Sequence, residues 1–434
     1  MAGGTRPSRR NILLGGGALA AGALLPSGLS AAIRASQVRT AAGPVRGSVE
    51  DGLHVFRGLR YGRDTGAARF QAPQPPASWT SPAEAFDFAA SCPQAGTRYR
   101  PQSEDCLFLN VWTPGPDPRA RRPVMVFGQS GGGAKIATLM GTPAAAGLFH
   151  RAATMSGQQV TASGPLNATR RTRAFMERLG VESPGALLAL PAEALVEGLA
   201  AADPILGGSL YFGPVLDMKW LTRHPFWPDA NPQSNAIPMM LGNTHDETRG
   251  FFGPDHPKII GLGWENLPER MAPELRIDVP PEWVVAEYRR LFPAFTPEQV
   301  FFAATTAARS WRGQLIEAEE RARAGAPAFV YQLDFASPVE PWRGAPHALD
   351  IPLVFGTFEA PGSIAGTGAQ SRAVSRAMMQ AFLRFARSGD PGWPAYTLAE
   401  RATMLFDAVP RVVNDPRGAE RRLFERIPYV QPGT

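Results

Sequence analysis

Apolar positions along the chain change period repeatedly, and the changes outline an alternation of strands and helices. Around residues 40–60 short apolar runs sit between Gly and Asp turns, predicting short strands. Leu107–Trp112 predicts another strand, ended by Thr113-Pro114-Gly115-Pro116. Pro123–Phe127 is continuously apolar and predicts a buried strand running straight into Gly128-Gln129-Ser130-Gly131-Gly132-Gly133, with a helical segment from about Ala134 to Met140. Further on, Ile237–Leu241 and Phe329–Leu333 read as strands, and Trp283–Phe292 as an amphipathic helix. Gln314–Ala324 reads as a helix closed by Gly325 and Pro327. Val374, Met378, Phe382 and Phe385 form one stripe of a helix that stops at Gly389, with Arg387 in its last turn and Pro391 beyond. Strands alternating with helices predict an α/β protein with a central, mostly parallel sheet, in a single domain spanning 38–430.

Composition narrows the functional classes. At 44% hydrophobic and 19% charged residues, the 434-residue chain is too apolar for a disordered protein. Two cysteines exclude a disulfide-stapled scaffold and a multi-Cys zinc or iron–sulfur site. No cluster of ligand residues calls for a metal or an organic cofactor. The net charge of +6 is carried almost wholly by Arg, with Lys only at 135, 219 and 258. These charges are scattered among acids, and the densest cluster, Arg119, Arg121 and Arg122, has no interleaved aromatic residues, so no nucleic-acid partner is expected. No apolar run beyond the N-terminus reaches the roughly 18 residues of a membrane span.

Residues 1–32 read as an address. Ser8-Arg9-Arg10-Asn11-Ile12-Leu13-Leu14 is similar to the twin-arginine export pattern, a Gly/Ala-rich apolar stretch runs from Ile12 to Leu25, and Ser30 and Ala32 stand at −3 and −1 of a cleavage point. The mature protein is then expected in the periplasm or outside the cell. There Cys92 and Cys106 are either a disulfide or two buried thiols. A disulfide would close a loop of about 15 residues, worth roughly 3 kcal/mol.

Candidate chemistry centres on Gly128-Gln129-Ser130-Gly131-Gly132, which matches G-x-S-x-G in the right context of strand before and helix after. A serine at such a turn must project its hydroxyl from the carboxyl edge of a sheet, and larger neighbours would clash there. A phosphate-loop reading fails because Ala134 stands where Lys is required. Chain order in such folds is serine, acid, histidine. Glu247 follows the strand at 237–241, and His347 follows the strand at 329–333, each on a loop just beyond. His54, His150, His224 and His256 have weaker contexts, and His245 is the competing base. Phe212, Phe251, Phe252 and Trp311 are candidate pocket walls, or core residues.

Several stretches carry a resemblance. These are Val55–Tyr61, Ala68-Arg69-Phe70, Ser103-Glu104-Asp105-Cys106-Leu107-Phe108-Leu109-Asn110-Val111, Gly147–Ala152, Met155-Ser156-Gly157, Gly344–Asp350 and Phe385–Pro391. From about residue 38 to 427 the chain resembles the type-B carboxylesterases, the group of the cholinesterases and para-nitrobenzyl esterases. The resemblance implies an α/β-hydrolase fold and hydrolysis of a small carboxylic ester through an acyl-enzyme. It implies Ser130 as nucleophile, Glu247 as triad acid, His347 as base and the Gly131 amide as an oxyanion donor. It also implies a Cys92–Cys106 disulfide and a buried Arg69–Glu104 ion pair.

Two departures qualify that expectation. Gln129 stands where the family typically has Glu. More seriously, the strand-like Pro123–Phe127 passes directly into the elbow, whereas the family interposes a His-Gly-Gly loop, two helices and another strand. No His-Gly pair occurs in the chain. An internal deletion that removes this oxyanion loop, and with it two strand positions of the sheet, is expected. A catalytically impaired or non-catalytic relative serving as a binding module is the alternative reading.

Overall fold

The computed structural model describes residues 35–96, 99–275, 277–431 and 433. The expected export signal at 1–32 lies outside these residues. The described residues fall into two compact units, one within 35–92 and 99–117 and the other within 93–96 and 118–433.

The first unit is built on a meander. Strands β1 (Ala35–Arg39), β2 (Pro44–Glu50), β3 (Leu53–Arg60) and β5 (Phe108–Thr113) pair antiparallel in that order, and the two-residue β4 (Ala83–Glu84) adds parallel to β2. Val45, Phe56 and Ala85 form its core, with Trp79 closing one side through a hydrogen bond from Nε1 to the Pro44 carbonyl at 2.7 Å. The Ser103–Cys106 motif is explained here as a four-residue clamp. Ser103 Oγ caps the Asp105 amide, Glu104 takes Arg69, Asp105 takes both ends of the Arg60 guanidinium at 2.6 Å, and Cys106 is disulfide-bonded to Cys92. The two thiols of the sequence reading are therefore one bond. The Arg69–Glu104 pair, expected buried, keeps part of its surface in solvent.

The second unit holds the larger sheet. Strands β6 (Ala152–Met155), β7 (Met239–Thr244), β8 (Ala328–Leu333) and β9 (Ala402–Phe406) are parallel neighbours, and β10 (Arg411–Asn414) pairs antiparallel with β9. Every residue of β7 and β8 is buried, as near-continuous apolar runs demand when both faces of a parallel sheet are covered. Gly242 of β7 is required for packing, because a Cβ there would lie 1.8 Å from the Tyr331 ring of β8.

Helix α1 (Gly131–Met140) lies against β6. The next two helices are α2 (Pro165–Arg178) and α3 (Ala192–Gly198). Then come α4 (Leu267–Leu275), α5 (Pro281–Leu291) and α6 (Pro297–Thr306), and Thr296 and Gln299 cap α6 reciprocally. A π-turn over Ala307–Trp311 leads into α7 (Arg312–Arg323). These helices pack around Met271, Tyr288, Phe301 and Leu315. Helices α8 (Asp350–Phe355) and α9 (Ala369–Ser388) cover the opposite face of the sheet, and α10 (Gly418–Phe424) closes the chain. The predicted stripe Val374, Met378, Phe382 and Phe385 is buried in that face, and Gly389 ends α9 at φ 82°.

One predicted strand does not form. Pro123–Phe127 forms no strand, and Val124 and Val126 are 84% and 86% exposed. An apolar run becomes a buried strand only where a neighbouring edge and a covering layer are available. The edge of β6 is met at a single residue, by a parallel bridge from Gln129 to Met155.

Candidate active site

Ser130 sits between that bridge and the first turn of α1, at φ 56° and ψ −115°, a conformation of the kind that costs an L-residue on the order of 1–3 kcal/mol. Its amide donates to the Met155 carbonyl at 2.8 Å and its carbonyl accepts from Ala134 at 3.1 Å, so β6 and α1 hold the strained turn from both sides. The glycine spacing follows from this bend. A Cβ on Gly128 would stand 3.0 Å from the Cα of Gly132, and one on Gly157 would stand 1.9 Å from the Ser130 carbonyl oxygen. The Gly131 N–H opens α1 and has no intrahelical acceptor, so it remains available to an oxygen beside Ser130.

Glu247 and His347 are brought together by two loops that zip against each other. The amide of Asp246 donates to the Ala345 carbonyl at 2.9 Å, the Ala345 amide donates to Asp246 Oδ2 at 3.0 Å, and the His347 amide donates to the Glu247 carbonyl at 3.3 Å. Glu247 is 1% exposed. Its carboxylate accepts from His347 Nδ1 at 2.5 Å, from Ser156 Oγ at 2.5 Å, from the Thr244 amide at 2.8 Å and from Asn243 Nδ2 at 3.1 Å. Burial pushes this carboxyl up, but the bond and charge of His347 outweigh it and hold it below the usual carboxylate range. Conversely, burial pulls His347 down, while Glu247 outweighs that effect and keeps the imidazole above its ordinary value.

His347 Nε2, the nitrogen left facing outward, lies 3.2 Å from Gln129 Nε2. With Nδ1–H donated to Glu247, Nε2 presents a lone pair and the carboxamide donates to it. No hydrogen bond joins it to Ser130 Oγ. Ser130, Gly131, Glu247 and His347 nevertheless line one cavity of about 220 Å³, together with Ser156, Gly157, Phe251, Arg309 and Gln431.

Of the four aromatic residues singled out, Phe251 walls this cavity, its ring 4.9 Å from that of His347. Phe252 and Trp311 are core, and Phe212 packs on Phe175. His245 pairs with Asp246 at 3.2 Å and faces a different cavity. Ser156, Asn243 and Asp350 escaped sequence reasoning. Ser156 stood inside a quoted match, but nothing in the sequence says its hydroxyl reaches a residue 91 positions away. Asp350 is fully buried, accepts from the Tyr331 hydroxyl at 3.1 Å, and is pushed up to about 7 by burial, with the nearby Glu247 charge adding to the shift. Among the described residues no three His, Cys, Asp or Glu side chains converge on a metal site, and no helix is long and apolar enough to cross a membrane.

Comparison with known proteins gives a consistent relationship. The model of the carboxylesterase family matches residues 34–127, 124–259 and 298–421, so that 124–127 are matched twice. The para-nitrobenzyl esterase of Bacillus subtilis (strain 168) is 27% identical over 490 aligned positions, covering 89% of this chain and 97% of that protein. The phenmedipham hydrolase of Pseudarthrobacter oxydans is 24% identical, covering 84% and 94%. Among solved structures, a carboxylesterase of Geobacillus stearothermophilus superposes with a TM-score of 0.75 at 27% identity, covering 89% of this chain and 99% of that one.

Proposed function

The chain belongs to the carboxylesterase family, has the α/β-hydrolase fold and is a carboxylic ester hydrolase; from that premise we propose that it works through Ser130, His347 and Glu247 by way of an acyl-enzyme. His347 Nε2 takes the proton of the Ser130 hydroxyl as Oγ attacks the ester carbonyl. Glu247 holds the Nδ1–H tautomer and stabilises the imidazolium. The Gly131 amide, at the positive end of α1, receives the carbonyl oxygen as it becomes an oxyanion. His347 returns the proton to the leaving alkoxide, and water then releases the acyl group by the same steps. The observation that carries this reading is the Glu247 carboxylate, saturated by four donors and bonded to a histidine that shares a cavity with Ser130.

We also read the chain as internally shortened. The double match of 124–127, and an alignment with more positions than the chain has residues, support loss of the segment that carries the family's oxyanion loop and two strand positions. Gly131 would then be the remaining donor of that set. Loss of each donor costs about 100- to 1,000-fold in rate, so slow turnover is expected. The Cys92–Cys106 disulfide supports export to the periplasm or beyond.

One observation favours the second reading, a non-catalytic binding module: Gln129, not Ser130, meets His347 Nε2. The deciding experiment is nitrophenyl acetate hydrolysis by wild type beside Ser130→Ala, with mass spectrometry after fluorophosphonate treatment. A burst and an adduct on Ser130, both lost in the variant, support the triad. A folded protein showing neither overturns the triad reading and favours the binding module.

A further inference from the structure

A second cavity in the same unit, about 350 Å³, has no part in this chemistry. Its volume falls within the range of small-molecule sites, roughly 300–1,000 Å³. One side is aromatic. Phe292 and Phe295 stack at 4.8 Å and 14°, and Phe302 lies under the Arg249 guanidinium, 4.2 Å from its ring centre. The other side is polar, and it keeps N–H groups that have no acceptor. The two acids that line it are already engaged. Asp246 accepts from His245 and from the Ala345 amide, and Glu420 accepts from Arg417 at 2.6 and 2.8 Å and from the Tyr288 hydroxyl at 2.8 Å. His245 gives Nδ1–H to Asp246, and two donors are unspent. Gln299 uses Oε1 on the Thr296 amide and keeps its Nε2 hydrogens. Arg249 uses Nη1 on Glu298 and on the Trp342 carbonyl and keeps Nη2.

From this pairing of rings and free N–H groups we infer a binding site for an aromatic carboxylate, the ring lying against Phe292 and Phe295 and the carboxylate taking donors from Gln299 and Arg249. A neutral aromatic alcohol would bring no charge to the Arg249 guanidinium, and a cation would meet it with the wrong sign. The ligand class matches the acid half of an aromatic ester. The site is nonetheless defined without reference to the triad, and it stands or falls independently of it.

The test is a fluorine NMR titration of the full-length protein with 4-fluorophenylacetate and, separately, 4-fluorobenzyl alcohol. The acid is expected to bind saturably and at least tenfold more tightly than the alcohol. Gln299→Glu keeps the acceptor that caps α6 but replaces a donor with a negative charge. It should weaken the acid at least tenfold and leave the alcohol unchanged. Phe295→Ala should weaken both at least fivefold. Phe251→Ala, in the other cavity, should change neither, and thermal unfolding of each variant shows that it is folded. The inference is overturned if the acid does not bind, if the alcohol binds as tightly, if Gln299→Glu has no effect on the acid, or if Phe251→Ala abolishes binding.

Discussion

Replacing Gln129 by alanine should speed the enzyme up. The Gln129 carboxamide donates to His347 Nε2 at 3.2 Å, the lone pair that must accept the Ser130 proton. Each turnover therefore begins by breaking that bond. A neutral hydrogen bond in a protein contributes a net of about 0.5–1.5 kcal/mol, so its removal predicts an increase in kcat/KM of roughly twofold to twelvefold on the alkaline plateau. A second consequence has a fixed sign. A donor to Nε2 favours the neutral imidazole, so without it the imidazolium gains by the same energy. The His347 pKa should then rise, moving the acid limb of the rate profile to higher pH. The assay is initial-rate hydrolysis of a nitrophenyl ester from pH 5 to 9 for wild type and Gln129→Ala. A plateau that falls, or an acid limb that moves to lower pH, refutes the reasoning. The second result would mean that the amide is turned over, with its oxygen accepting from a protonated ring.

The other perturbations test the support of the site. Ser156→Ala removes a charge-assisted bond of 2.5 Å from a buried carboxylate and should cost about 1.5–3 kcal/mol in urea unfolding, with a parallel loss of activity. Gly157→Ala sets a methyl group 1.9 Å from the Ser130 carbonyl, so it should abolish fluorophosphonate labelling even where circular dichroism reports a folded chain. For Asp350, the folded-state value of about 7 lies above its ordinary 3.8, so the folded state holds this proton more tightly. The stability it lends is present below about pH 4 and is lost as pH rises through about 7, by at most about 4 kcal/mol. Asp350→Asn should abolish that decline, so urea midpoints of variant and wild type should converge or cross between pH 5 and 9. A difference that is constant with pH would show that Asp350 does not titrate there. Cys92→Ala should lower stability by roughly 3 kcal/mol, read in the same assay.

Much of the fold was legible wherever a pattern states its own requirement. The stripe from Val374 to Phe385 repeats on one helical face whatever surrounds it, and β7 and β8 are apolar enough that only a covered parallel sheet accepts them. Glu247 and His347 could be placed because each follows such a strand. Two things were not legible, for different reasons. Asn243, Ser156 and Asp350 act through contacts between distant segments, and a polar residue in an apolar setting does not reveal its partner. Pro123–Phe127 fails because strand formation is not local. Its apolar sequence describes a neighbour and a covering layer, and the chain offers the first at one residue only, where Gln129 meets Met155.

That failure locates what holds the elbow. A strand before the serine would fix the turn from its amino side. Here that side is exposed, and Ser130 is held by the Met155 carbonyl on its amide and by the first turn of α1 on its carbonyl. Gly157 then matters as much as the glycines of the motif itself, since it lets β6 approach close enough to make the bond. The same geometry explains the Gln129 contact. Gln129 is anchored by one bridge rather than a ladder, and its carboxamide turns to His347 Nε2.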